Sequence, residues 1–437
     1  MLALLLACVE PVGESAPIAQ PVAWSRERPR LDEVAPDGRS LKRAIIHLHS
    51  PLSHDACDDH ETPVEPCLAD LRAGLCDAAV DLAFFTDHPS TAAEVEYDDL
   101  FWLQEGDELV DGRASRISCP AGDTLWIPGV EDELMPVALD RHVEGDAAER
   151  DRLYNGVEQE TVEAELAAGA VVLQAHTEGQ DLDTLLQRQA WGQSGVEMFN
   201  LHAMIDPNKR EQDLGLDALS YLTEAGHFIN ATSDAEPDLV FLSFYQEQTV
   251  SLERWDALNR VAPSLGTAGT DAHQNALPML MRDGERVDSY RRMMTWFANY
   301  LAVEDESPGA AEAALRARTG FVAFDLLGTP TGFFVTYAGT PWATDNGELG
   351  GTLDVTCPTL AAVSPTDMSE PVITAAVYRD GQPWKTGCGS FPVDEPGVYR
   401  VRIDIVPTHL TAALGDRADA LVHAYPWLYS QAFRIGL

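Results

Sequence analysis

The chain is organised around a stretch that reads Ile45-Ile46-His47-Leu48-His49-Ser50-Pro51-Leu52-Ser53-His54-Asp55. Its apolar beginning predicts a short buried strand, from Arg43 to Leu48, that runs into a loop. Because side chains alternate along a strand, His47 and His49 are expected on the same side, where two imidazoles can bind one metal ion. His54 follows from the loop. One His-x-His pair is weak evidence by itself, so the rest of the chain must supply partners.

Length and composition indicate a globular protein of more than one domain. The chain has 437 residues, of which 45% are hydrophobic and 23% are charged, and this length suits two domains. No apolar run is long enough for a membrane-spanning helix. The 71 acidic residues outnumber the 29 basic ones, which gives a net charge of −42. Such a surface repels nucleic acids and anionic membranes, so nucleic-acid binding is not expected.

The first eight residues resemble the end of a secretory signal. Leu5-Leu6-Ala7-Cys8 is similar to a bacterial lipobox, in which the cysteine is lipidated after cleavage. In this interpretation residues 1–8 are a signal remnant and residues 9–40 are a linker. The protein would then be exported and anchored through Cys8 to a membrane, in the periplasm or at the cell surface. The alternative is an ordinary apolar N-terminus.

Six cysteines remain after Cys8, an even number that permits three disulfides in an exported protein. Cys357 and Cys388 lie in the same C-terminal region and are the favoured pair. The pairs Cys57–Cys67 and Cys76–Cys119 are further candidates. No CxxC spacing occurs, so a zinc knuckle or a thioredoxin motif is not indicated.

The pattern of elements changes near residue 325. Between about 41 and 325, short apolar strands alternate with helical stretches, which is typical of an α/β fold. Helices are expected near Glu65–Leu75, Val157–Ala168, Gly215–Ala225, Ser251–Val261 and Glu285–Val303. Residues 326–437 predict a small β-sandwich, with strands at Phe333–Tyr337, Val372–Tyr378, Val398–Val406 and Ala418–Ala424.

Histidines and carboxylates stand where the predicted strands of the first part end. Asp87-His88 follow Val80–Thr86, Glu131 follows Thr124–Val130, His176 follows Ala170–Ala175, His202 follows Gly195–Phe199, and Asp271-Ala-His273 follow Leu265–Thr270. In a parallel barrel the carboxyl ends of the strands meet at one face. The candidate ligands are therefore His47, His49, His54, His88, Glu131, His176, His202, Asp271 and His273. This set predicts two or three transition metals, bridged by a carboxylate such as Glu131, and Zn, Mn and Fe all suit it.

The ordered motifs resemble the signatures of the PHP family, named for polymerase and histidinol phosphatase. They are His47-Leu-His49, Thr86-Asp87-His88, Gly129-Val-Glu131, the lone His176, and Gly269-Thr-Asp271-Ala-His273. The resemblance covers about residues 41–325. It implies a distorted (β/α)7 barrel that hydrolyses phosphoesters at a two- or three-metal site.

The same resemblance implies an assignment of the ligands. One metal would be held by His47, His49, Glu131 and Asp271, a second by Glu131, His176 and His202, and a third by His54, His88 and His273. Many members of the family have Asp where His54 stands. The long interval from Glu131 to His176 indicates a surface insertion. The tail ending in Tyr425-Pro-Trp427-Leu-Tyr-Ser resembles that of larger exported members.

The predicted function is metal-dependent hydrolysis of a small phosphorylated substrate, by a phosphatase or a phosphodiesterase. Clustered metals lower the pKa of a bound water and so supply hydroxide. Glu131 and Asp271 are the expected catalytic carboxylates, and Asp87 is expected to orient a ligand. Asn200 and Glu197 are expected to do the same, although Glu197 could simply face the interior or the helices. Lys209, Arg210 and Arg282 are candidate phosphate contacts, with ordinary surface charges as the alternative.

Two other functions stay open at this point. The same metals could serve a hydrolase of carboxylic esters, amides or carbamates, because activated water attacks carbon as well as phosphorus. Amidohydrolases also begin with His-x-His, but they commonly add a lysine at the fourth strand, where this chain has His176 and no lysine nearby. The third possibility is a non-catalytic surface lipoprotein whose β-sandwich binds an unknown partner.

Overall fold

A closed barrel of seven strands occupies the first part of the computed structural model, which describes residues 24–60, 64–230, 232–362 and 369–437. The strands are β1 Ser40–Leu48, β2 Leu82–Asp87, β3 Thr124–Val130, β4 Leu134–Val137, β5 Val171–Gln174, β6 Gly195–Asn200 and β7 Leu265–Ala272. Neighbours run parallel, and β7 closes onto β1. β4 is the exception, since it is antiparallel to both neighbours. The predicted α/β fold and distorted barrel are confirmed.

The interval between Glu131 and His176 is more than a surface insertion. It contributes β4, whose Leu134–Val137 pair with β5, and the helices Ala147–Tyr154 and Gln159–Ala167. The antiparallel strand is one distortion of the barrel that the sequence pattern did not reveal. A hairpin of strands Glu108–Val110 and Ala114–Ile117 pairs antiparallel with the beginning of β3.

The sheet of the barrel continues into the C-terminal part through a further strand that pairs with β1. Residues Ser40–Ala44 pair with the antiparallel strand Ala298–Val303, whereas Ile46 and Leu48 pair with β7. From there the sheet extends through Gly320–Ala323, Tyr425–Ser430, Gly397–Val406, Val372–Arg379 and Gln382–Thr386. One hydrogen-bonded sheet therefore links the two parts of the chain.

A second sheet completes the predicted β-rich part after the barrel. It contains the strands Thr340–Pro341, Phe334–Tyr337, Thr352–Thr356 and Gly389–Pro392. Val335 and Leu353 from this sheet share one hydrophobic cluster with Val377 and Val401 from the extended sheet. The remaining strands are Phe433–Ile435 with Thr344–Gly347, and Thr329–Thr331 with Thr359–Ala362.

Helices cover the outside of the barrel, and their ends follow local rules. Asp181 caps one helix by accepting a hydrogen bond from the Thr184 N–H, and Gly192 ends that helix in the left-handed conformation. The α-helices are Ala56–Asp59, Val64–Asp77, Pro89–Ala92, Ala147–Tyr154, Gln159–Ala167, Leu182–Trp191, His202–Ile205, Pro207–Gln212, Leu222–Ile229, Thr249–Val261, Tyr290–Trp296, Pro308–Ala317, Thr411–Leu414 and Ala418–Leu421. Short 3₁₀ turns lie at Tyr97–Phe101, Thr177–Gly179, Pro237–Ser243, Asp325–Leu327, Thr408–Leu410 and Gly415–Arg417.

Three element predictions are wrong. The helix expected near Gly215–Ala225 is Leu222–Ile229, and residues 215–221 are not helical. The helix expected over Glu285–Val303 covers only Tyr290–Trp296, and Ala298–Val303 is a strand. This strand pairs with the first half of β1, whose backbone groups would otherwise lack a neighbour because β7 reaches only the second half. Residues Ala418–Leu421 form a helix instead of the expected strand.

The segment from residue 24 onward packs on the barrel, although it falls within the predicted linker. Trp24 Nε1 donates to Asp238 Oδ2 at 2.8 Å, and Arg30 pairs with Asp81, which precedes β2. These contacts lie at the amino ends of the strands. Cys8, the predicted lipobox and residues 9–23 lie outside the described residues.

Three disulfides match the predicted pairs. They join Cys57 to Cys67, Cys76 to Cys119, and Cys357 to Cys388. Disulfides of this kind are typical of extracellular or periplasmic proteins. Within the described ranges, no helix is both long and apolar enough to cross a bilayer.

Candidate metal centre

The carboxyl ends of the barrel strands bring most of the predicted ligands together. The eight that meet there are His47, His49, His88, Glu131, His176, His202, Asp271 and His273. They come from the ends of six strands or from the residues that directly follow, as the parallel arrangement requires.

His47 reaches this site through a bulge in β1. The register against β2 and β7 shifts between Ile46 and Leu48, and His47 has a left-handed backbone with φ 64°. Ile46 belongs to a hydrophobic cluster with Phe84, whereas Ile45 and Leu48 belong to the separate, larger core. Regular alternation would keep His47 on the side of Ile45, so the bulge turns its side chain to the other side.

Two further ligands share this unusual backbone. His176 has φ 49° and Asp271 has φ 48°. Non-glycine residues in the left-handed region cost roughly 1 kcal/mol or more each, and they concentrate at functional sites. Three ligands from three different strands therefore carry local strain that the surrounding barrel maintains.

Four imidazoles have a hydrogen-bond partner at Nδ1, and Nδ1 of His88 also lies 3.0 Å from Oε2 of the candidate ligand Glu131. His47 Nδ1 lies 2.7 Å from Glu197 Oε1, and His49 Nδ1 lies 2.8 Å from Ser53 Oγ. The Nδ1 atoms of His88 and His273 each lie 3.1 Å from a carbonyl oxygen. With Nδ1 donating in this way, Nε2 is the nitrogen left to bind a metal.

Several polar atoms that face the centre lack hydrogen-bond partners among the described residues. Such atoms are expected where metal ions bind, so they show whether a metal cluster fits these residues. Nε2 of His47, His49 and His273, and Oδ2 of Asp271, are buried without a hydrogen-bond partner in the described part of the chain. Buried polar atoms are normally paired. A donor set of imidazoles and carboxylates suits divalent transition metals. The residues present therefore fit the metals that the sequence predicts.

Distances between the ligand atoms define four overlapping groups. His47 Nε2 lies 3.4 Å from Asp271 Oδ1, and His49 Nε2 lies 3.6 Å from the same oxygen. His176 Nε2 lies 3.4 Å from Glu131 Oε1. Ligand atoms fall within 4.8 Å of one another in the groups His47–His49–Asp271, His47–Glu131–His176, His176–His202–Asp271 and His49–His88–His273. Because these groups share members, they suit more than one ion.

Asp55, and not His54, faces the fourth group in this list, which is His49–His88–His273. Asp55 Oδ2 lies 3.4 Å from Nε2 of His88 and 3.4 Å from Nε2 of His273. His54 is exposed, and its ring centroid lies 5.1 Å from that of His88. The sequence-based choice of His54 is thus displaced by one residue, because the chain turns after Ser50 and strand alternation no longer applies.

Glu197 connects ligands from two strands. Its side chain is completely buried, and it accepts hydrogen bonds from His47 Nδ1, from the His176 backbone N–H at 2.9 Å and from Asn200 Nδ2 at 2.8 Å. Gln248 in turn holds Asn200, since its Oε1 accepts from the Asn200 N–H and its Nε2 donates to the Asn200 carbonyl. Glu197 therefore faces the site, as one of the two interpretations had it. Gln248 has no motif that would have singled it out.

The carboxylate of Asp87 is hydrogen-bonded to the loop that follows His49. It accepts hydrogen bonds from the Ser50 N–H at 2.6 Å and from Ser50 Oγ at 2.7 Å. Burial raises the pKa of Asp87 to about 6, although the hydrogen bonds from Ser50 oppose this shift. The residue fixes the turn between His49 and Asp55, in which Ser53 bonds His49 Nδ1. Its catalytic or ligand-orienting role stays a prediction.

Charges within the site compensate one another. Burial disfavours the ionised form of Glu131, but hydrogen bonds from His176 and His88 outweigh it and lower the pKa of Glu131 to about 2. Burial lowers the pKa of His49 well below its usual value, and the neighbouring His273 adds to this effect. For His47, burial is outweighed by the carboxylates of Asp271 and Glu197, which raise its pKa to about 9. A metal that binds His47 must therefore displace a proton.

The expected phosphate contacts divide into two kinds. Arg210 is buried and donates to the carbonyl oxygens of Met204 and Asp217. Arg282 donates to the carbonyl of Ala235 and to Glu236. Because Arg210 is buried, its prediction as a phosphate contact is wrong, whereas Arg282 is partly exposed and stays a prediction. Lys209 is partly exposed with Nζ 3.5 Å from Asp213 Oδ2, and it stays a prediction.

Comparison with known proteins adds little beyond this geometry. No protein-family model matches the chain, and no curated protein matches it. The chain is similar to a two-domain protein containing a predicted PHP-like metal-dependent phosphoesterase from Bacteroides vulgatus ATCC 8482, at 11% identity and TM-score 0.37, over 92% of this chain and 98% of that one. It is also similar to PsfC from Pseudomonas syringae PB-5123, at 12% identity and TM-score 0.35, over 63% of this chain and 89% of that one. At these TM-scores neither likeness supports a conclusion.

Proposed function

We propose that the protein is a metal-dependent phosphoester hydrolase, with a site for two or three divalent transition metals such as Zn, Mn or Fe. One observation supports the proposal most strongly. Buried imidazole nitrogens and carboxylate oxygens meet in overlapping groups, and several of these atoms have no hydrogen-bond partner among the described residues. Shared carboxylates are what a multinuclear site requires. Asp271 belongs to two groups, and the two oxygens of Glu131 lie 3.4 Å from His176 Nε2 and 3.0 Å from His88 Nδ1.

Each part of the site has a role in this proposal. Bound metals would supply an activated water near neutral pH and would stabilise charge on the attacking and leaving oxygens at phosphorus. Glu131 and Asp271 would hold neighbouring ions, and Glu197 keeps the His47 ring in one orientation. His202, whose side chain is nearly half exposed, stands where a substrate enters. Lys209 is proposed to contact the phosphate from the rim.

The ordered motifs that resemble the PHP family favour phosphorus over carbon as the reacting centre. A small phosphorylated compound is the proposed substrate, because the acidic chain, with its net charge of −42, repels extended polyanions. The proposed location is outside the cytoplasm, with Cys8 as a lipid anchor. Release of a Cys8→Ala variant from the membrane fraction would test the anchor.

Metal analysis joined to an activity screen tests the function. Protein purified without chelator is expected to contain about two or three transition metal ions per chain and to hydrolyse phosphomonoesters or phosphodiesters in preference to carboxylic esters. Asp271→Asn and His47→Ala should lose metal and activity together. His227→Ala is the matched control, since His227 is exposed on the helix Leu222–Ile229. Full activity in metal-free protein, or in Asp271→Asn, would refute the proposal.

A further inference from the structure

A buried carboxylate that the proposed function has not used lies behind His176. Glu178 is 1% exposed, and both of its carboxylate oxygens are buried without a hydrogen-bond partner among the described residues. Its Oε1 lies 3.5 Å from His176 Nδ1. Burying a carboxylate with so little compensation costs stability. A role in the candidate metal centre would explain why the chain has Glu178 at a position where a buried carboxylate lowers stability.

The backbone around Glu178 fixes where this carboxylate points. Glu178 is the central residue of the 3₁₀ turn Thr177–Gly179. Arg254, from the helix Thr249–Val261, donates to the Thr177 carbonyl at 2.6 Å, and the turn follows His176, whose N–H donates to Glu197. Both contacts hold the amino end of the turn, and the Gly179 N–H donates to the His176 carbonyl, so the fold keeps Glu178 beside His176.

The pair repeats an arrangement seen at the other side of the site. At His47, Nδ1 faces the buried carboxylate of Glu197 and Nε2 faces Glu131 and Asp271. At His176, Nδ1 faces the buried carboxylate of Glu178 and Nε2 faces the same two residues. In metal sites, a carboxylate behind an imidazole fixes its orientation and strengthens it as a ligand.

We propose that Glu178 is a positioning residue that holds the His176 imidazole with Nδ1–H toward its carboxylate and Nε2 toward the metal centre. This inference rests on the proposed metal-dependent function. It assigns to Glu178 no contact with substrate. Its effect passes through His176 and hence falls on the ion that His176 would share with Glu131 and His47.

The test compares Glu178→Leu and Glu178→Gln with Glu165→Gln. Glu165 is a matched control, because it is also completely buried with both oxygens unpartnered, yet it belongs to none of the ligand groups. Metal-free protein is titrated with Zn²⁺ by calorimetry, and the thermal unfolding of the metal-free form is recorded. Glu178→Leu is expected to weaken one Zn²⁺ site by about 10- to 100-fold, Glu178→Gln by less, and Glu165→Gln not at all.

Stability separates positioning from a structural role. Glu178→Leu removes a buried carboxylate that lacks a hydrogen-bond partner among the described residues, so the metal-free variant should be at least as stable as the wild type. A lower unfolding temperature of that metal-free variant would overturn the inference, and so would wild-type Zn²⁺ affinity. If the wild-type protein itself bound no Zn²⁺, the proposed function would fail and the inference would fall with it. A wild type that binds Zn²⁺ beside an unaffected Glu178→Leu would overturn only the inference.

Discussion

Glu197 Oε1 lies 2.7 Å from His47 Nδ1, and both side chains are completely buried. Its other oxygen accepts the backbone N–H of His176. One carboxylate thus sets the orientation of a ligand from β1 and the position of a ligand that follows β5. Geometry of this kind makes the ligands rigid before any ion binds, which is how proteins favour one metal arrangement over others.

Replacing Glu197 by Gln should weaken metal binding without removing a ligand. The amide has one acceptor oxygen in place of two, so it cannot accept from both His47 and His176. We expect a loss of about 10- to 100-fold in metal affinity, measured by competition with a chromogenic chelator. Glu224→Gln, which alters an ion pair with Arg417 elsewhere, should bind metal as the wild type does. Equal affinities in both variants would show that other contacts hold the His47 ring.

Gly269 leaves the space that the Glu197–His47 pair occupies. A Cβ at this position would lie 1.7 Å from Glu197 Oε1 and 3.2 Å from His47 Nδ1. Gly269→Ala should therefore cost about 1–3 kcal/mol of unfolding free energy by overpacking and should lower the metal content. Urea unfolding and metal analysis check both effects. Gly226→Ala is the control, because open space surrounds that helical position, and it should stabilise the protein by about 1 kcal/mol.

Variants of Asp55 and His54 test which of the two residues is a ligand beside the group His49–His88–His273. Asp55→Ala should reduce the number of bound metals, because it removes the carboxylate that lies 3.4 Å from both His88 and His273. His54→Ala should retain the wild-type number, since its exposed ring is not part of the group. Elemental analysis of the two purified variants distinguishes them. The reverse result would restore the original assignment to His54.

The Cys57–Cys67 disulfide should matter for metal binding as well as for stability. Cys57 N–H donates to the His273 carbonyl, and the bond to Cys67 ties this loop to the helix Val64–Asp77. The double variant Cys57→Ser/Cys67→Ser should lose about 2–3 kcal/mol of stability together with occupancy of the group near Asp55. Cys357→Ser/Cys388→Ser should lose stability and keep its metals. Equal metal content in the two double variants would contradict this prediction.

Glu236 should make stability depend on pH. Burial, with the nearby charge of Asp238, raises the pKa of Glu236 from 4.5 to about 7, against the opposing effect of Arg282. The folded state therefore holds this proton more tightly, so the side chain favours folding below about pH 4.5 and loses that contribution as the pH rises through about 7. In a Glu236→Gln variant this loss is absent.

The unfolding free energy of Glu236→Gln, relative to the wild type, should thus rise by roughly 2–3 kcal/mol between pH 5 and pH 8. Chemical unfolding of both proteins at several pH values measures the difference, in which contributions from the metal ligands cancel. A difference that stays constant with pH would show that Glu236 titrates normally in the folded protein.

Much of the candidate metal centre was predictable because its residues stand at strand ends. Parallel strands place their carboxyl ends at one face, so His88, Glu131 and His176 could be grouped without knowing any distance. The C-terminal β-rich part and the disulfides followed from composition and from the cysteine positions. Arg210 and Arg282 could not be judged in this way, because whether a guanidinium is free or bound to carbonyl groups depends on distant segments such as Phe244 and Ala235.

The sequence by itself determined the alternation of strands and helices, the ligand types and their order along the chain. Only the tertiary structure decided that His47 turns toward the site through a bulge, that Asp55 takes the place expected of His54, and that Ala298–Val303 becomes a strand. The reason is physical. Local periodicity describes a strand on its own, whereas register shifts, left-handed residues and edge pairing depend on which neighbours the closed barrel brings alongside.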